Sequence, residues 1–305
     1  MNSSLEKVGI KSRRIIDIRH TSSDLAFLAA QKLFSETNFD RSLIDFLIFN
    51  SPELNYYTPS TSCELHGAIG LNNTCGSLDI NHGCSGYTYS LLVAQGLIAS
   101  GQCQYVLMLN ASSLTKELHD RDKSSRFVFG DAASATLIEK SGEKGILNFS
   151  LGTDGKNFQK IIIEDGGGKN EISEASSLPI INDFGSVTSR EKLNMDGTGV
   201  FLFTLRTVPA LIKSTLERNE MELIDIDFFI FHQANAYILE VLREKIGIPK
   251  DKFIVDMENT GNTVSVTIPI ALRNAIEKGQ IKTGNHVLIA GFGTGLSWSA
   301  TILKI

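Results

Sequence analysis

The sequence contains no run of five or six like charges and no apolar stretch long enough to cross a bilayer. Its 305 residues carry 29 Lys and Arg against 34 Asp and Glu, a formal charge of −5. Without a basic stripe, neither nucleic acid nor an anionic membrane surface is an expected partner. Apolar runs such as Phe228 to Phe231 fall far short of the ~20 residues of a transmembrane helix, and the polar start has no signal-peptide core. We therefore expect a soluble, cytoplasmic protein.

Cysteine is scarce, and its spacing excludes two common roles. The four cysteines stand at positions 63, 75, 84 and 103, never as C-x-x-C. This spacing matches neither a zinc site nor a small disulfide framework, so we expect no metal and reduced thiols. A composition that is 42% hydrophobic and 21% charged is that of an ordinary globular protein, which excludes a largely disordered chain.

The sequence does contain a duplication. The letters Leu-Ile-Asp introduce an apolar, strand-like run at Leu43 and again at Leu223, 180 residues later (223 − 43). Each copy continues, in the same order, with a helical segment, a short strand-like run, a glycine turn, a second helix and a hydrophobic strand. This alternation predicts βαβ units with buried, largely parallel sheets. We expect two pseudo-equivalent α/β halves, residues 1–150 and 151–305, with a mobile polar insertion from about 153 to 199.

Cys84 occupies the glycine turn of the first copy, where a strand ends and a helix begins. Loops at the carboxyl ends of parallel strands build the sites of α/β proteins. The helix dipole and the free N–H groups at a helix start favour the thiolate, which is the nucleophilic form of cysteine. The flanking Gly83 and Gly86 leave room for an incoming carbonyl. The position is equally consistent with a small buried core cysteine.

Three features of the second copy are expected to face the same crevice. His232 ends the strand that follows Leu223, although a lone histidine there is often structural. Asn262 follows a glycine as Cys84 does, 178 residues later (262 − 84), although asparagine is common in turns. The loop Gly291-Phe292-Gly293-Thr294-Gly295 has backbone N–H groups to offer to an oxyanion.

Taken together, these residues resemble the β-ketoacyl-acyl-carrier-protein synthase III family of the thiolase superfamily. The matching stretches, in family order, are Gly83-Cys84-Ser85-Gly86, Phe129-Gly130-Asp131, Met195-Asp196-Gly197 with Val200-Phe201, His232-Gln233-Ala234-Asn235, Gly261-Asn262-Thr263 and Gly291-Phe292-Gly293. The resemblance implies a thiolase-like five-layer αβαβα fold made of two pseudo-twofold-related halves. It also implies a homodimer that needs no cofactor and takes acyl-CoA and acyl carrier protein thioesters as substrates.

The resemblance further implies a reaction of fatty acid biosynthesis and assigns roles to individual residues. Cys84 would take an acyl group from a thioester and condense it with a malonyl thioester that loses CO₂, giving a β-ketoacyl thioester. The implied catalytic triad is Cys84, His232 and Asn262. The implied oxyanion hole consists of the backbone N–H groups of Cys84 and Thr294. The implied substrate-binding residues are Lys123, Phe201 and Gly293.

The sequence departs from the family pattern in four places. The first part of the pattern, which includes a strand, is absent before Val8-Gly9-Ile10, so we expect one sheet to lack an edge strand. Tyr237 stands where the family often has a basic residue that docks the carrier protein. Thr294 replaces the middle glycine of the G-F-G-G-G loop, and Lys123 replaces an arginine that contacts CoA. These departures predict a divergent member with an altered donor or acceptor.

Other functions remain open from the sequence. The acyl group on Cys84 could pass to an amine or alcohol in a sugar or secondary-metabolite pathway, in which case no malonyl thioester is needed. The chain could instead be an inactive thiolase-fold subunit that binds a carrier protein or a partner enzyme, in which case Cys84 forms no adduct. A hydrolase that uses Cys84 as its nucleophile has no matching sequence pattern.

Overall fold

A computed structural model of the chain describes residues 8–183 and 185–305, which form two main sheets. The first sheet has the order β2-β1-β3-β4, with β1 at Phe46–Asn50, β2 at Gly76–Ile80, β3 at Tyr105–Ser112 and β4 at Ala132–Glu139. Strand β1 pairs in parallel with β2 and β3, whereas β4 is antiparallel to β3. The sheet is thus mainly parallel, as the alternating pattern predicts.

The second sheet has the order β10-β11-β12-β5. Its strands are β5 at Ser150–Thr153, β10 at Phe228–Phe231, β11 at His286–Gly293 and β12 at Ser297–Lys304. The short strand-like run that the duplication predicts in the second copy, from Phe253 to Met257, is wrong in extent, because only Phe253 pairs, in a single parallel bridge with Phe229. The division of the chain near residue 150 stays a prediction. Every strand of the first sheet ends by Glu139, and every strand of the second begins at Ser150 or later.

The polar stretch between the two sheets forms two small antiparallel pairs. Strand β6 at Ile161–Ile162 pairs with β9 at Asn194–Met195, and β7 at Ile180–Ile181 pairs with β8 at Val187–Thr188. Each strand has only two residues, which is too short for a periodic pattern to reveal it in the sequence.

The named α-helices are α1 at Ser22–Thr37, α2 at Thr61–Ile69, α3 at Gly86–Ala99, α4 at Gly197–Arg218, α5 at Ala236–Ile246 and α6 at Thr267–Glu277. Helices α4 and α5 are N-capped by side chains: the side chain of Asp196 accepts from the N–H of Gly199, and that of Asn235 accepts from the N–H of Ile238. Helices α2 and α5 end at the left-handed residues Gly70 and Gly247. Glycine tolerates that conformation, so each helix ends at its glycine.

The helices and sheets stack in five layers. Helices α3 and α6 lie between the sheets, where Leu91 and Ile268 pack in one buried cluster with Ile48 of the first sheet and Ile289 of the second. Helices α1 and α2 cover the outer face of the first sheet, and α4 and α5 cover that of the second. Burial of each such side chain contributes ~1.5–3 kcal/mol. The predicted αβαβα architecture is therefore confirmed.

The expectation that no segment is long and apolar enough to span a membrane is wrong for helix α4. Its 22 residues reach that length and composition. Val208 and Ile212 pack against Leu288 of β11 in the buried cluster between α4 and the second sheet. The helix therefore has the contacts of a core helix, and a search for unbroken apolar runs does not single it out.

The two sheets differ at one edge. Strand β12 pairs with β11 on one side and with β5 on the other. Strand β4, which holds the matching place, pairs with β3 alone among the strands of the described ranges. This agrees with the expectation that one sheet lacks an edge strand.

Candidate active site

A cavity of about 540 Å³ opens where the parallel strands of both sheets end. Its wall contains Cys84 from the first half and His232, Asn262, Gly293 and Thr294 from the second. Most of the remaining lining is aliphatic or aromatic. The cavity can therefore hold an extended apolar chain beside a small set of polar groups.

Cys84 lies two residues before α3 and is buried against the loop after β11. A Cβ atom added to Gly293 would lie 2.8 Å from the Cys84 sulfur, so this close approach requires glycine. The backbone of Thr294 and that of Cys84 itself form hydrogen bonds with the sulfur. These two N–H groups, predicted as the oxyanion hole, thus lie beside the sulfur.

The protonation states of Cys84 and His232 follow from their burial. Desolvation raises the pKa of the Cys84 thiol to about 12 and lowers the pKa of His232 to about 4. Desolvation therefore opposes the thiolate that the helix start is expected to favour, and it outweighs the two hydrogen bonds to the sulfur. At neutral pH the pair consists of a thiol and a neutral imidazole. A base must take the thiol proton as the sulfur attacks.

His232 follows β10 directly and is held at both its backbone and its ring. Its N–H donates to the carbonyl of Ala290 at 2.8 Å. Its Nδ1 lies 2.9 Å from Oγ1 of Thr267. Because this contact engages Nδ1, the other ring nitrogen, Nε2, is the one left to act on a substrate.

Asn262 is held by a segment of the first half. Its N–H donates to the carbonyl of Val128 at 2.9 Å, and its carbonyl accepts from the N–H of Gly130 at 3.0 Å. Its side-chain Oδ1 accepts from the N–H of Val264 at 2.9 Å, which leaves the amide NH₂ as the donor group. The stretch around Gly130, which is one of the family motifs, therefore positions this asparagine.

Two of the predicted substrate-binding residues do not line the cavity. The Phe201 ring stacks on Tyr237, with 6.0 Å between ring centroids. The backbone N–H of Lys123 donates to the hydroxyl of Ser186, while the neighbouring Ser124 reaches the cavity wall. Gly293, the third predicted binding residue, does line it.

Several wall residues have no signal in the sequence, apart from Phe129, which belongs to the family motif Phe129-Gly130-Asp131. A buried apolar cluster surrounds Cys84, and partly buried side chains extend it. Its members include Leu114, Phe129, Leu193, Val264 and Ile161. Leu193 and Ile161 come from the polar stretch, so that stretch builds part of the site.

No group of three or more His, Cys, Asp or Glu side chains able to hold a metal ion occurs in residues 8–183 and 185–305. The absence of a metal or cofactor from the reaction remains a prediction.

Comparison with known proteins identifies the family. A model of 3-oxoacyl-(acyl-carrier-protein) synthase III matches residues 78–155, and the model of its C-terminal part matches residues 216–305. The β-ketoacyl-(acyl-carrier-protein) synthase III of Clostridium perfringens is 33% identical over 302 residues, which are 98% of this chain and 89% of the relative. The chain belongs to the ketoacyl synthase III family.

Solved structures of 3-oxoacyl-(acyl-carrier-protein) synthases support the same assignment. One crystal structure of a 3-oxoacyl-(acyl-carrier-protein) synthase III matches with a TM-score of 0.97 and 38% identity, covering 100% of this chain and 91% of the other. The enzyme from Burkholderia xenovorans matches with a TM-score of 0.91 and 32% identity, covering 100% and 85%. The predicted family, the thiolase-like fold and the acyltransferase class are confirmed.

Proposed function

We propose that this ketoacyl synthase III forms an acyl-enzyme on Cys84 and condenses the acyl group with a malonyl thioester. The observation that carries the proposal is the shared cavity. One buried thiol, two backbone N–H groups, one imidazole and one oriented amide meet in an apolar space. This set supplies a nucleophile, an oxyanion hole, a proton acceptor and a hydrogen-bond donor.

In the first step the Cys84 sulfur attacks the carbonyl carbon of an acyl thioester. Nε2 of His232 takes the thiol proton, because the buried thiol does not ionise by itself at neutral pH. The N–H groups of Cys84 and Thr294 hold the oxyanion of the tetrahedral intermediate. The carbon–sulfur bond of the donor then breaks, and its sulfur leaves with the proton from His232.

In the second step a malonyl thioester binds beside the acylated Cys84. Its thioester carbonyl accepts hydrogen bonds from the amide of Asn262 and from Nε2–H of His232. The bond to the carboxylate breaks, CO₂ leaves, and the electron pair forms an enolate held by these two donors. The enolate carbon attacks the acyl carbon, and the Cys84 sulfur leaves as a thiolate that takes up a proton. The product is a β-ketoacyl thioester.

Acyl-CoA and acyl carrier protein are the proposed substrates, and the proposed assembly is a cytoplasmic homodimer. The outer edge of β2, whose five residues are only partly buried, supports self-association, because an open strand edge can pair with a second copy about a twofold axis. Light scattering behind size exclusion tests the assembly. A mass of one chain would contradict it.

The experiment for the reaction follows CO₂ from carboxyl-labelled malonyl carrier protein in the presence of acetyl-CoA. We expect labelled CO₂ and a β-ketoacyl product in equal amounts, both dependent on acetyl-CoA and both absent with Cys84→Ala. An acyl adduct on Cys84 without CO₂ release would contradict condensation and favour transfer to an amine or alcohol. If the protein forms no adduct and releases no CO₂, the result would favour an inactive subunit.

A further inference from the structure

The only side chain with a hydrogen bond to the His232 ring among the described residues is Thr267, at the start of α6. Nδ1 of His232 and Oγ1 of Thr267 are 2.9 Å apart, and both residues are buried. The Thr267 hydroxyl also donates to the backbone carbonyl of Val264 at 3.0 Å. The ring nitrogen that the reaction does not use is thus bound to a group that can donate or accept.

The two proposed steps make opposite demands on His232. Acylation needs a lone pair on Nε2, so the proton of the neutral ring must sit on Nδ1. Decarboxylation needs a proton on Nε2, so Nδ1 must be bare and must accept a hydrogen bond. The two tautomers hold the same number of protons, and the surroundings of Nδ1 decide which one is favoured.

Backbone groups at this site serve only one of the two tautomers. A hydrogen bond to the backbone of Val264 favours the charged imidazole, so the carbonyl of Val264 accepts from the ring. The same carbonyl accepts from Oγ1 of Thr267, which lies 2.9 Å from Nδ1, and we take this to place the carbonyl on the Nδ1 side of the ring. The N–H of Val264 cannot serve the other tautomer, because it donates to Asn262. Val264 presents both groups through a φ of 56°, a left-handed conformation that a β-branched residue rarely adopts.

We propose that Thr267 is the positioning residue that allows His232 to supply both tautomers, by switching its hydroxyl from acceptor to donor at Nδ1. While the hydroxyl donates to Val264, its lone pairs face a proton on Nδ1, which leaves Nε2 free to take the Cys84 proton. When the hydroxyl turns to donate to Nδ1, Nε2 carries the proton that the enolate oxygen needs. This inference rests on the proposed function.

The inference predicts that removal of the Thr267 hydroxyl separates the two steps. In Thr267→Val the Val264 carbonyl still supports a proton on Nδ1, so acylation by acetyl-CoA should stay within about threefold of the wild-type rate. Loss of one donor to the enolate should lower CO₂ release from malonyl carrier protein about 10²-fold. Rapid-quench measurement of each step on the full chain, the second with pre-acylated protein, gives both rates.

Two further variants control the experiment. Thr267→Ser keeps the hydroxyl and should restore CO₂ release to within about threefold of wild type. If the Thr267 side chain only filled space, the hydroxyl would not be needed for this recovery. Thr263→Val removes a buried hydroxyl from the same turn, and Oγ1 of Thr263 has no hydrogen-bond partner in the described part of the chain. It should change neither rate by more than about threefold.

The outcomes separate this inference from the proposed function. If wild-type protein forms no adduct and releases no CO₂, the proposed function itself is contradicted. If wild-type protein does both, and Thr267→Val changes the rates of the two steps equally, only the role of Thr267 is overturned. Nitrogen-15 shifts of His232 test the point without any variant that must fold. The resting wild-type protein should carry its proton on Nδ1, and a proton on Nε2 would overturn the inference.

Discussion

In the first half, the turn after β2 passes through Gly83 and Cys84 directly into α3. In the second half, the matching turn passes through Asn262 into a 3-10 segment at Val264–Val266 before α6 begins. The first turn places a sulfur at a helix start, and the second places an amide whose orientation is fixed by the extra backbone turn. A difference of a few residues in how the helix begins thus separates the proposed nucleophile from the proposed hydrogen-bond donor.

Each of these turns is held by the opposite half of the molecule. The backbone of Gly293 and Thr294, from the second half, lies against Cys84. The carbonyl of Val128 and the N–H of Gly130, from the first half, bind the backbone of Asn262. The site therefore exists only where both halves meet, and either turn can be disturbed separately.

Asn262→Asp should disturb the second turn most. One carboxylate oxygen can still accept from Val264, but the other places a negative charge where the enolate charge develops. We expect CO₂ release to fall about 10²- to 10³-fold while acylation of Cys84 stays near wild type, measured by the two half-reactions. Asn259→Asp is the matched control, because within the described residues the Asn259 side chain has a hydrogen bond only with the exposed Ser12 hydroxyl. Equal loss in both half-reactions would contradict the assignment.

Gly293→Ala should disturb the first turn by a smaller amount. A methyl group 2.8 Å from the Cys84 sulfur must push the loop or the cysteine aside, which displaces the Thr294 N–H from the oxyanion. We expect acylation to slow about 10- to 10²-fold, as measured by adduct formation from acetyl-CoA. Gly142→Ala serves as control, since its added Cβ meets nothing within 4 Å. Unchanged acylation in Gly293→Ala would remove the oxyanion-hole role of this loop.

His232 should link the stability of the fold to pH. Its pKa is lowered to about 4 in the folded protein, whereas an unfolded histidine titrates near its ordinary value of 6.5, so the unfolded chain binds the proton first as pH falls. Stability should therefore decrease below about pH 6.5, by about 2 kcal/mol between pH 7.5 and pH 5 from this residue. Urea unfolding of wild type and His232→Gln at several pH values measures this change in the free energy of unfolding. An equal pH slope in both proteins would contradict the buried, neutral imidazole.

The smallest expected effect concerns the unequal sheet edges. Strand β12 is bonded on both sides and mostly buried, whereas β4 has one named partner and only partly buried residues through most of its length. Backbone amides of β4 should therefore exchange with solvent faster than those of β12, as measured by hydrogen exchange with residue resolution. Equal protection of the backbone amides in β4 and β12 would contradict the expected difference between the two sheet edges.

Sequence patterns predict those parts of the protein that repeat. The order of strands, helices and glycine turns recurs in both halves, and this recurrence is enough to place Cys84 and Asn262 in one crevice. His232 follows from the end of the matching strand. Family motifs add Gly293 and Thr294 to the site. These residues lie on regular elements or directly after them, so spacing and the family motifs together fix their positions.

Other parts of the site depend on contacts that no local pattern contains. Ile161 and Leu193 reach the cavity from a polar stretch with two-residue strands, so no periodicity marks them. Nothing in the sequence distinguishes Thr267 until the fold places it beside His232. The left-handed backbone of Val264 contradicts the preference of a β-branched residue, so tertiary contacts must impose it. The ionisation of Cys84 depends on burial, which the helix-start argument leaves out.

The most direct test of the account is intact-protein mass spectrometry after incubation with a panel of acyl-CoA and acyl-carrier thioesters. Wild-type protein should gain the mass of one acyl group from at least one donor. Cys84→Ala should gain none, while Cys63→Ala, which removes an exposed thiol outside the cavity, should gain the same mass as wild type. No adduct from any donor, or an adduct that survives Cys84→Ala, would contradict the assignment of Cys84 as the nucleophile.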